Sequence, residues 1–404
     1  MHIDMPAHNL FGNEPIGITF PESWDVQVSS FKGANAPSLT QEEIADKIKN
    51  PAHVPAIAEG AAGSKNAVII FDDFTRATPI EPIAKVVIAE LEKAGVPRDN
   101  IRFVAAVGAH RAMCREDFER KLGREITQEF RIYSHNPFFN NVYLGKTAYG
   151  VPVELNADCV YADYKVAIGS LFPHSSTGVG GGGKIVLPGI ASFETIRQWH
   201  LQDSGMWKTD SPARKSVVEA SDYLKLDIKI DALLNGNGEI AELYAGHYDQ
   251  IFIDHCDEIK DFFYTEHIAD PDIVIANNYF KPTEPNVAIV QMGIVETVKP
   301  GGDMVLMYNT PYGCACHYMW GKWGDTGIGG PLYRKQYRVP HNVKRFFVFS
   351  KYWDKGTASS YHLNEDGNIY ADNWTDLMTH FGPGPKRVAV YPYADASCFE
   401  PGKR

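Results

Sequence analysis

The chain has no run of about 18 consecutive apolar residues, the length a bilayer-crossing helix needs, which excludes an apolar membrane span. Basic charge is also short, with 39 Lys and Arg against 50 Asp and Glu and a formal net charge of -11. Nucleic acid is therefore a poor partner, because phosphate binding needs a basic face. Cysteine is scarce: six in 404 residues, with Cys114, Cys159, Cys256 and Cys398 scattered. Only Cys314-Ala315-Cys316-His317 is close-set. It lacks the two-residue spacing and second pair of a zinc knuckle, so reduced structural thiols are the expectation. The opening Met1-His2-Ile3-Asp4-Met5-Pro6 has neither the basic nor the apolar segment of a signal peptide. Repeats of solenoid length and low-complexity tracts are missing too. These absences predict a cytoplasmic protein that engages neither membrane nor nucleic acid.

What is present is ordinary globular composition, 44% hydrophobic and 22% charged, in a chain long enough for two domains. Ser38-Leu39-Thr40-Gln41-Glu42 gives an N-cap for a helix near residues 41–49. The apolar run Ala67-Val68-Ile69-Ile70-Phe71 reads as a buried strand. A helix over residues 80–94, closed by Gly95 and Pro97, and a strand over 101–107 follow. The next helix starts near Arg115, and a further strand covers residues 164–168. Strand, polar loop and helix in alternation predict a parallel sheet covered by helices, whose ligands lie beyond the carboxyl ends of the strands. Two segments joined through Asn235-Gly236-Asn237-Gly238 predict a β-hairpin. A boundary falls at residues 260–270. The α/β rhythm restarts with strands at 272–276, 304–307 and 345–350 and a helix over 284–298.

On this frame three stretches carry chemistry. Asp73-Phe74-Thr75-Arg76-Ala77-Thr78-Pro79 follows the first strand. Its hydroxyls, guanidinium and helix amides suit a phosphate or carboxylate; simple helix capping is the alternative. Gly108-Ala109-His110-Arg111 follows the second strand. The third runs from Phe172-Pro173-His174 through Gly178-Val179-Gly180-Gly181-Gly182-Gly183-Lys184 to His200. Glycine costs backbone entropy in ordered structure, so a run this dense marks tightly turned backbone or close approach to a bound group. Gly178 and Gly183-Lys184 meet the G-x-x-x-x-G-K spacing of a P-loop, but Ile185 stands where a magnesium-holding Ser or Thr belongs. Three readings are open: a non-covalent P-loop-like nucleotide site, a surface loop, or a lysine set against a cofactor or substrate, as attachment point or charge partner. His110, His174 and His200 are each placed in a loop at one sheet edge. Two facing histidines suit a reaction on both faces of a carbon, since an unperturbed pKa near 6.5 lets one act as base and the other as acid. A third, neutral imidazole could ligate a metal.

Taken together, the motifs at residues 73–79, 108–111 and 173–174 and Lys184-Ile185-Val186-Leu187-Pro188-Gly189-Ile190 resemble the lactate racemase family of nickel-dependent 2-hydroxyacid racemases and epimerases. The match covers most of the first 200 residues in order and spacing, and the second half looks like the family's carboxy-terminal domain. The resemblance implies two α/β domains with the active site in the cleft between them. The expected division is a catalytic and cofactor-binding domain, residues 1–265, and a carboxy-terminal α/β domain, residues 266–404. It further implies a nickel pincer nucleotide tethered to Lys184, His200 as the nickel ligand, and His110 and His174 as the acid–base pair. Asp73, Thr75 and Arg76 would sit near the cofactor phosphate or the substrate, and Trp353 would wall the cofactor or else only pack at a strand end. Small-molecule 2-hydroxyacids and the cofactor's biosynthetic enzymes are the implied partners. A 2-hydroxyacid's α-hydrogen is very weakly acidic, so moving it as hydride avoids a carbanion but needs an acceptor that amino acids do not provide.

The departure from the family concerns the substrate. The family fixes the substrate carboxylate with aromatic, glutamine and lysine side chains of the second domain. Here Asn277-Asn278-Tyr279-Phe280-Lys281-Pro282-Thr283-Glu284 does not reproduce that set at equal spacing. Tyr279 and Lys281 are the candidate substrate contacts. Lactate, a larger 2-hydroxyacid, a hydroxy-diacid and a sugar acid are all open.

Overall fold

Strand pairing, rather than sequence order, divides this molecule. The computed structural model describes residues 1–7, 12, 14–174, 177–202, 210–285, 293–319, 342–353 and 367–399. Its strands and helices run in chain order as β1 (His2–Met5), β2 (Ile16–Thr19), β3 (Asp25–Val28), α1 (Gln41–Lys49), α2 (Ile57–Gly60) and β4 (Ala67–Asp72). Next come α3 (Ile80–Lys93), β5 (Ile101–Ala106), α4 (Arg115–Glu129), β6 (Arg131–Ser134), β7 (Asn141–Lys146), β8 (Pro152–Asn156) and α5 (Ala157–Val160). Then follow β9 (Tyr164–Ser170), β10 (Pro173–His174), β11 (Gly178–Val179), α6 (Phe193–Trp199), α7 (Pro212–Leu224), β12 (Ile228–Leu234), β13 (Ile240–Gly246) and α8 (Gln250–Phe262). The last strands are β14 (Ile273–Asn278), β15 (Gly302–Tyr308), β16 (Val343–Phe349), β17 (Ile369–Ala371) and β18 (Arg387–Tyr391).

Tertiary contacts group Asn35–Ile259 into one unit, and Met1–Ala34 with Lys260–Arg404 into the other. This departs from the expected division at residues 1–265 and 266–404. The cause is β3, which pairs in parallel with β18, Val26 opposite Val388, and so ties the chain's start to its end.

In the Asn35–Ile259 unit the sheet order is β13-β12-β9-β4-β5-β6. Every pair is parallel except β12–β13, the expected hairpin, where Asn235 Oδ1 accepts from the Asn237 and Glu239 amides. All residues of β4 and β12 are buried; for β4 this is what an apolar run inside a parallel sheet should show, whereas β12 also buries Lys229 and Asp231. Thr40 caps α1 through a reciprocal pair: its hydroxyl accepts from the Glu43 amide, and Glu43 accepts from the Thr40 amide at 2.7 Å. Asp72 lies opposite Ala106, and Phe71 opposite Ile168. The loops after β4, β5 and β9 therefore leave from one edge.

The other unit holds a wholly parallel sheet, β17-β16-β15-β14-β18-β3. Its strands alternate between two apolar clusters. One contains Val274, Leu306, Phe346 and Ala389, and the other Ile275, Val305, Phe347 and Val390. Of the helix expected over 284–298, residues 286–292 lie outside the described set; a 3₁₀ turn occupies Ile294–Thr297. Among the described residues no helix is long and apolar enough to cross a membrane.

Candidate active site

At the carboxyl end of β4 the chain turns through Asp73, which is buried. Its Oδ1 accepts from the Thr75 hydroxyl at 2.5 Å and the Thr75 amide at 3.1 Å, and its Oδ2 meets His110 Nδ1 at 2.7 Å. Burial pushes the Asp73 carboxyl upward, but the His110 imidazole, then Arg76 and Thr75, outweigh it and hold the group below its usual range. A charged carboxylate only accepts, so the His110 nitrogen facing it, Nδ1, carries a proton. Arg76 Nη1 donates to the Thr75 hydroxyl at 2.7 Å and to the Thr75 carbonyl at 3.1 Å. Helix capping, the alternative for this segment, is not what these residues do. The N-cap position of α3 is Pro79, with no side-chain cap.

Beneath this loop lies a buried network. Lys121 of α4 is 1% exposed, and its Nζ donates to Asp72 Oδ1 at 2.5 Å and to the carbonyls of Arg76 and Thr78 at 3.0 and 2.9 Å. Burial raises the Asp72 carboxyl, against the pull of Lys121. The Thr78 hydroxyl bonds both Asp72 and Ser170, the last residue of β9. One ammonium thus fixes the backbone on both sides of Ala77. Neither Lys121 nor Asp72 stood out in the sequence, since the lysine lies in an ordinary polar helix and the aspartate ends a strand.

The glycine run leaves the same sheet edge after β9. It first forms the small hairpin β10–β11, with His174 opposite Gly178. Gly181 and Gly182 then take φ of +89° and +55°, values that L side chains resist. The 3₁₀ turn Gly182–Ile185 carries Lys184 over β4, β9 and β12. A Cβ on Gly183 would come within 2.2 Å of Ser221 Oγ. The Gly182 amide donates to Asp231 Oδ2 at 2.7 Å, and Lys229 Nζ holds the other oxygen at 2.5 Å. Arg214, 2% exposed, reaches Asp249 at 3.3 Å, while its Nε and Nη1 have no hydrogen-bond partner. The P-loop alternative fails on geometry. A P-loop opens directly into a helix at its lysine, whereas here the next helix begins at Phe193.

His200 differs from expectation in its setting, for it is the C-cap of α6 rather than part of a strand-end loop. Its Nδ1 donates to the Ile196 carbonyl at 2.8 Å. Desolvation holds its pKa down to about 4, against the Ile196 carbonyl, and the charges of Lys184 and His110 push the same way. These three groups are therefore within electrostatic reach of one another. A neutral imidazole with Nδ1–H committed leaves Nε2 as a metal donor. Among the described residues no three His, Cys, Asp or Glu side chains are grouped to hold a metal, the cysteines at 314 and 316 included. His200 so placed suits a metal that brings its other donors with it, as a tethered metallo-cofactor does. The residues present fit such a group.

In the other unit, Tyr279 and Lys281 follow β14 and are buried. The Tyr279 ring lies 4.9 Å from Phe280 and 5.6 Å from Tyr393. Trp353 packs on the apolar core, its ring 4.2 Å from that of Tyr370.

A parallel α/β unit with an oriented histidine and a lysine-bearing glycine turn at its strand ends, and a neutral histidine closing α6, has the make-up of an α/β-class enzyme. Residues 11–210 match the lactate racemase N-terminal domain. The chain is 30% identical over 282 residues to the lactate racemase of Lactiplantibacillus plantarum, covering 66% of this chain and 65% of that protein. It is 25% identical over 288 residues to that of Thermoanaerobacterium thermosaccharolyticum, covering 68% and 67%. Over the matched residues the chain belongs to the lactate racemase family, whose matched members are isomerases. Its fold is that of the lactate racemase apoprotein from T. thermosaccharolyticum, with a TM-score of 0.74 at 17% identity over 99% of this chain and 100% of that one. A Thermotoga maritima protein of known crystal structure aligns with a TM-score of 0.63 at 17% identity, covering 90% and 98%.

Proposed function

We propose that the chain racemises or epimerises a 2-hydroxyacid, with His110 and His174 as the acid–base pair. The observation that carries this reading is the convergence of an oriented imidazole, a primary amine and a neutral imidazole, His110, Lys184 and His200, within electrostatic reach in one unit. Asp73 engages His110 through Nδ1, an arrangement that suits Nε2 to take the substrate hydroxyl proton. His174, in the hairpin after β9, is assigned the same task on the opposite face of the substrate carbon. Thr75 and Arg76 offer a hydroxyl and a guanidinium to a carboxylate or phosphate.

Lys184 and His200 would hold a nickel pincer nucleotide, the one as tether and the other as metal ligand. When bound, that group supplies the hydride acceptor that side chains lack. The tightness at Gly183 supports the assignment, because it fixes where the neighbouring amine emerges. Tyr279 and Lys281 are proposed to contact the substrate, and Trp353 to flank the cofactor.

The test uses protein produced together with the cofactor's biosynthetic enzymes and a panel of enantiopure 2-hydroxyacids. At least one should racemise, with turnover lost in His110→Ala and in His174→Ala. Full activity in either variant would overturn the assignment.

A further inference from the structure

One row across the sheet of the Asn35–Ile259 unit brings two buried carboxylates together. Asp231 of β12 lies opposite Gly169 of β9, and Phe71 lies opposite Ile168, so Asp72 ends β4 in the same row. Gly169 places no side chain between them. A Cβ there would stand 3.3 Å from Lys229 Nζ, 3.5 Å from Asp72 Oδ2 and 3.6 Å from Asp231 Oδ1, so three charged groups converge over this one residue. Asp72, through Lys121, belongs to the network under the 73–78 loop. Asp231 faces the other loop.

Asp231 is 2% exposed and Lys229 is fully buried, and neither serves as acid, base, tether or metal ligand. The carboxylate divides its oxygens. Oδ1 accepts from the Lys229 ammonium at 2.5 Å, and Oδ2 accepts from the Gly182 amide at 2.7 Å. Lys229 also donates to the Ile230 carbonyl at 2.8 Å, which ties the pair to its own strand. The glycine turn is pressed onto this anchor. A Cβ on Gly181 would come 3.1 Å from Asp231 Oδ1, and one on Gly182 would come 2.6 Å from the Tyr248 carbonyl. Positive φ at both glycines permits the approach. From Gly182 the chain enters the 3₁₀ turn, where the Lys184 amide donates back to the Gly181 carbonyl at 3.2 Å. Lys184 lies only two residues past the anchored amide.

We infer that Asp231 is a positioning residue for Lys184: pinned by Lys229, it holds the Gly182 amide and so sets the point from which the lysine amine leaves the turn. Desolvation offsets much of the attraction in a buried ion pair, so this pair contributes orientation more than stability. The inference rests on the proposed tether role only for what the amine is held ready to join.

The test compares the full chain with Asp231→Ala, Asp231→Asn and a double variant, Lys229→Met with Asp231→Asn. Alanine removes the anchor. Asparagine alone keeps an acceptor for the Gly182 amide but sets its NH2 against the Lys229 ammonium, a conflict that methionine removes. The double variant is therefore a neutral anchor of the same shape. Hydrogen exchange of the cofactor-free chain is read over peptides covering the turn at residues 181–186 and β5, which lies beyond β9 and β4 from Asp231. Exchange at the turn should rise at least about tenfold in Asp231→Ala, with β5 unchanged, and return to within about threefold of wild type in the double variant. Asp231→Asn should side with alanine, and it supplies the same comparison where the alanine variant does not fold. The share of chains carrying an adduct on Lys184, after production with the biosynthetic enzymes, should follow the same order. Unchanged exchange at the turn, or a double variant no closer to wild type than the single ones, would overturn the inference. So would a rise shared equally by the turn and β5, the mark of a merely structural role. A turn loosened and then rescued, with no adduct in any chain, keeps the anchor and removes the tether. Adduct at wild-type yield in every variant, with exchange unchanged, does the reverse.

Discussion

Replacing Lys121 by methionine tests whether the site rests on a buried charge. Methionine keeps the length and volume of the side chain while deleting three hydrogen bonds, to Asp72 and to the carbonyls of Arg76 and Thr78. Removing one partner of a buried ion pair costs about 3–5 kcal/mol. The value should lie toward the lower figure, because burial already raises the Asp72 carboxyl and a lost partner lets it take up a proton. The assay is hydrogen exchange of the amides of β4 and β5, which reports opening free energy segment by segment. At 1.4 kcal/mol per tenfold, protection of Ala67–Asp72 should fall by roughly 10²–10³. Adding Asp72→Asn removes the stranded carboxylate, so the double variant should recover at least about 1 kcal/mol relative to the sum of the singles. A protection change below tenfold, or strict additivity, would show that Lys121 does not brace the loop.

His135 makes a pH prediction. Its Nε2 donates to the Ala191 carbonyl and its Nδ1 accepts from Asn156, so the folded ring is satisfied when neutral, and burial lowers its pKa to about 4. The unfolded ring takes a proton below about 6.5, so the stabilisation is complete above that pH and is lost as pH falls toward 4, by about 3 kcal/mol. His135→Gln should flatten the acid limb of a Tm-against-pH curve, and an unchanged slope would contradict the assignment. Asp73→Asn presents an amide donor to His110 Nδ1, moves the proton to Nε2 and blocks the base. Turnover should drop on the order of 10²–10⁴ with a smaller change in KM, and loss through KM alone would count against the orienting role. Gly183→Ala forces a methyl against Ser221 and should cost about 1–3 kcal/mol. Gly180→Ala, with its nearest neighbour at 3.5 Å, should leave Tm nearly unchanged; equal effects would show that the turn is not tightly packed.

Much of this was legible because the signals are local. The Thr40–Glu43 pair fixes one end of α1, and the apolar runs of β4 and β5 specify buried parallel strands whose ends collect the polar loops. Asp73 and His110 were found by placement at those ends, although their direct contact needs the register of two strands. Where the sequence was mute, the partner lies far away in the chain. The β3–β18 pairing joins residues near 26 to residues near 388, and no motif near Ala34 announces that the chain leaves one unit for the other. Lys121 and Arg214 sit in helices whose composition reads as a solvated face, yet both are buried under the loops that matter.

The central claim is that Lys184 is a covalent attachment point. Peptide mass spectrometry of protein matured with the biosynthetic enzymes tests it directly. The account predicts a mass increase confined to the peptide bearing Lys184, with bound nickel, and neither in Lys184→Ala. Protein that racemises a 2-hydroxyacid with Lys184 unmodified would contradict it.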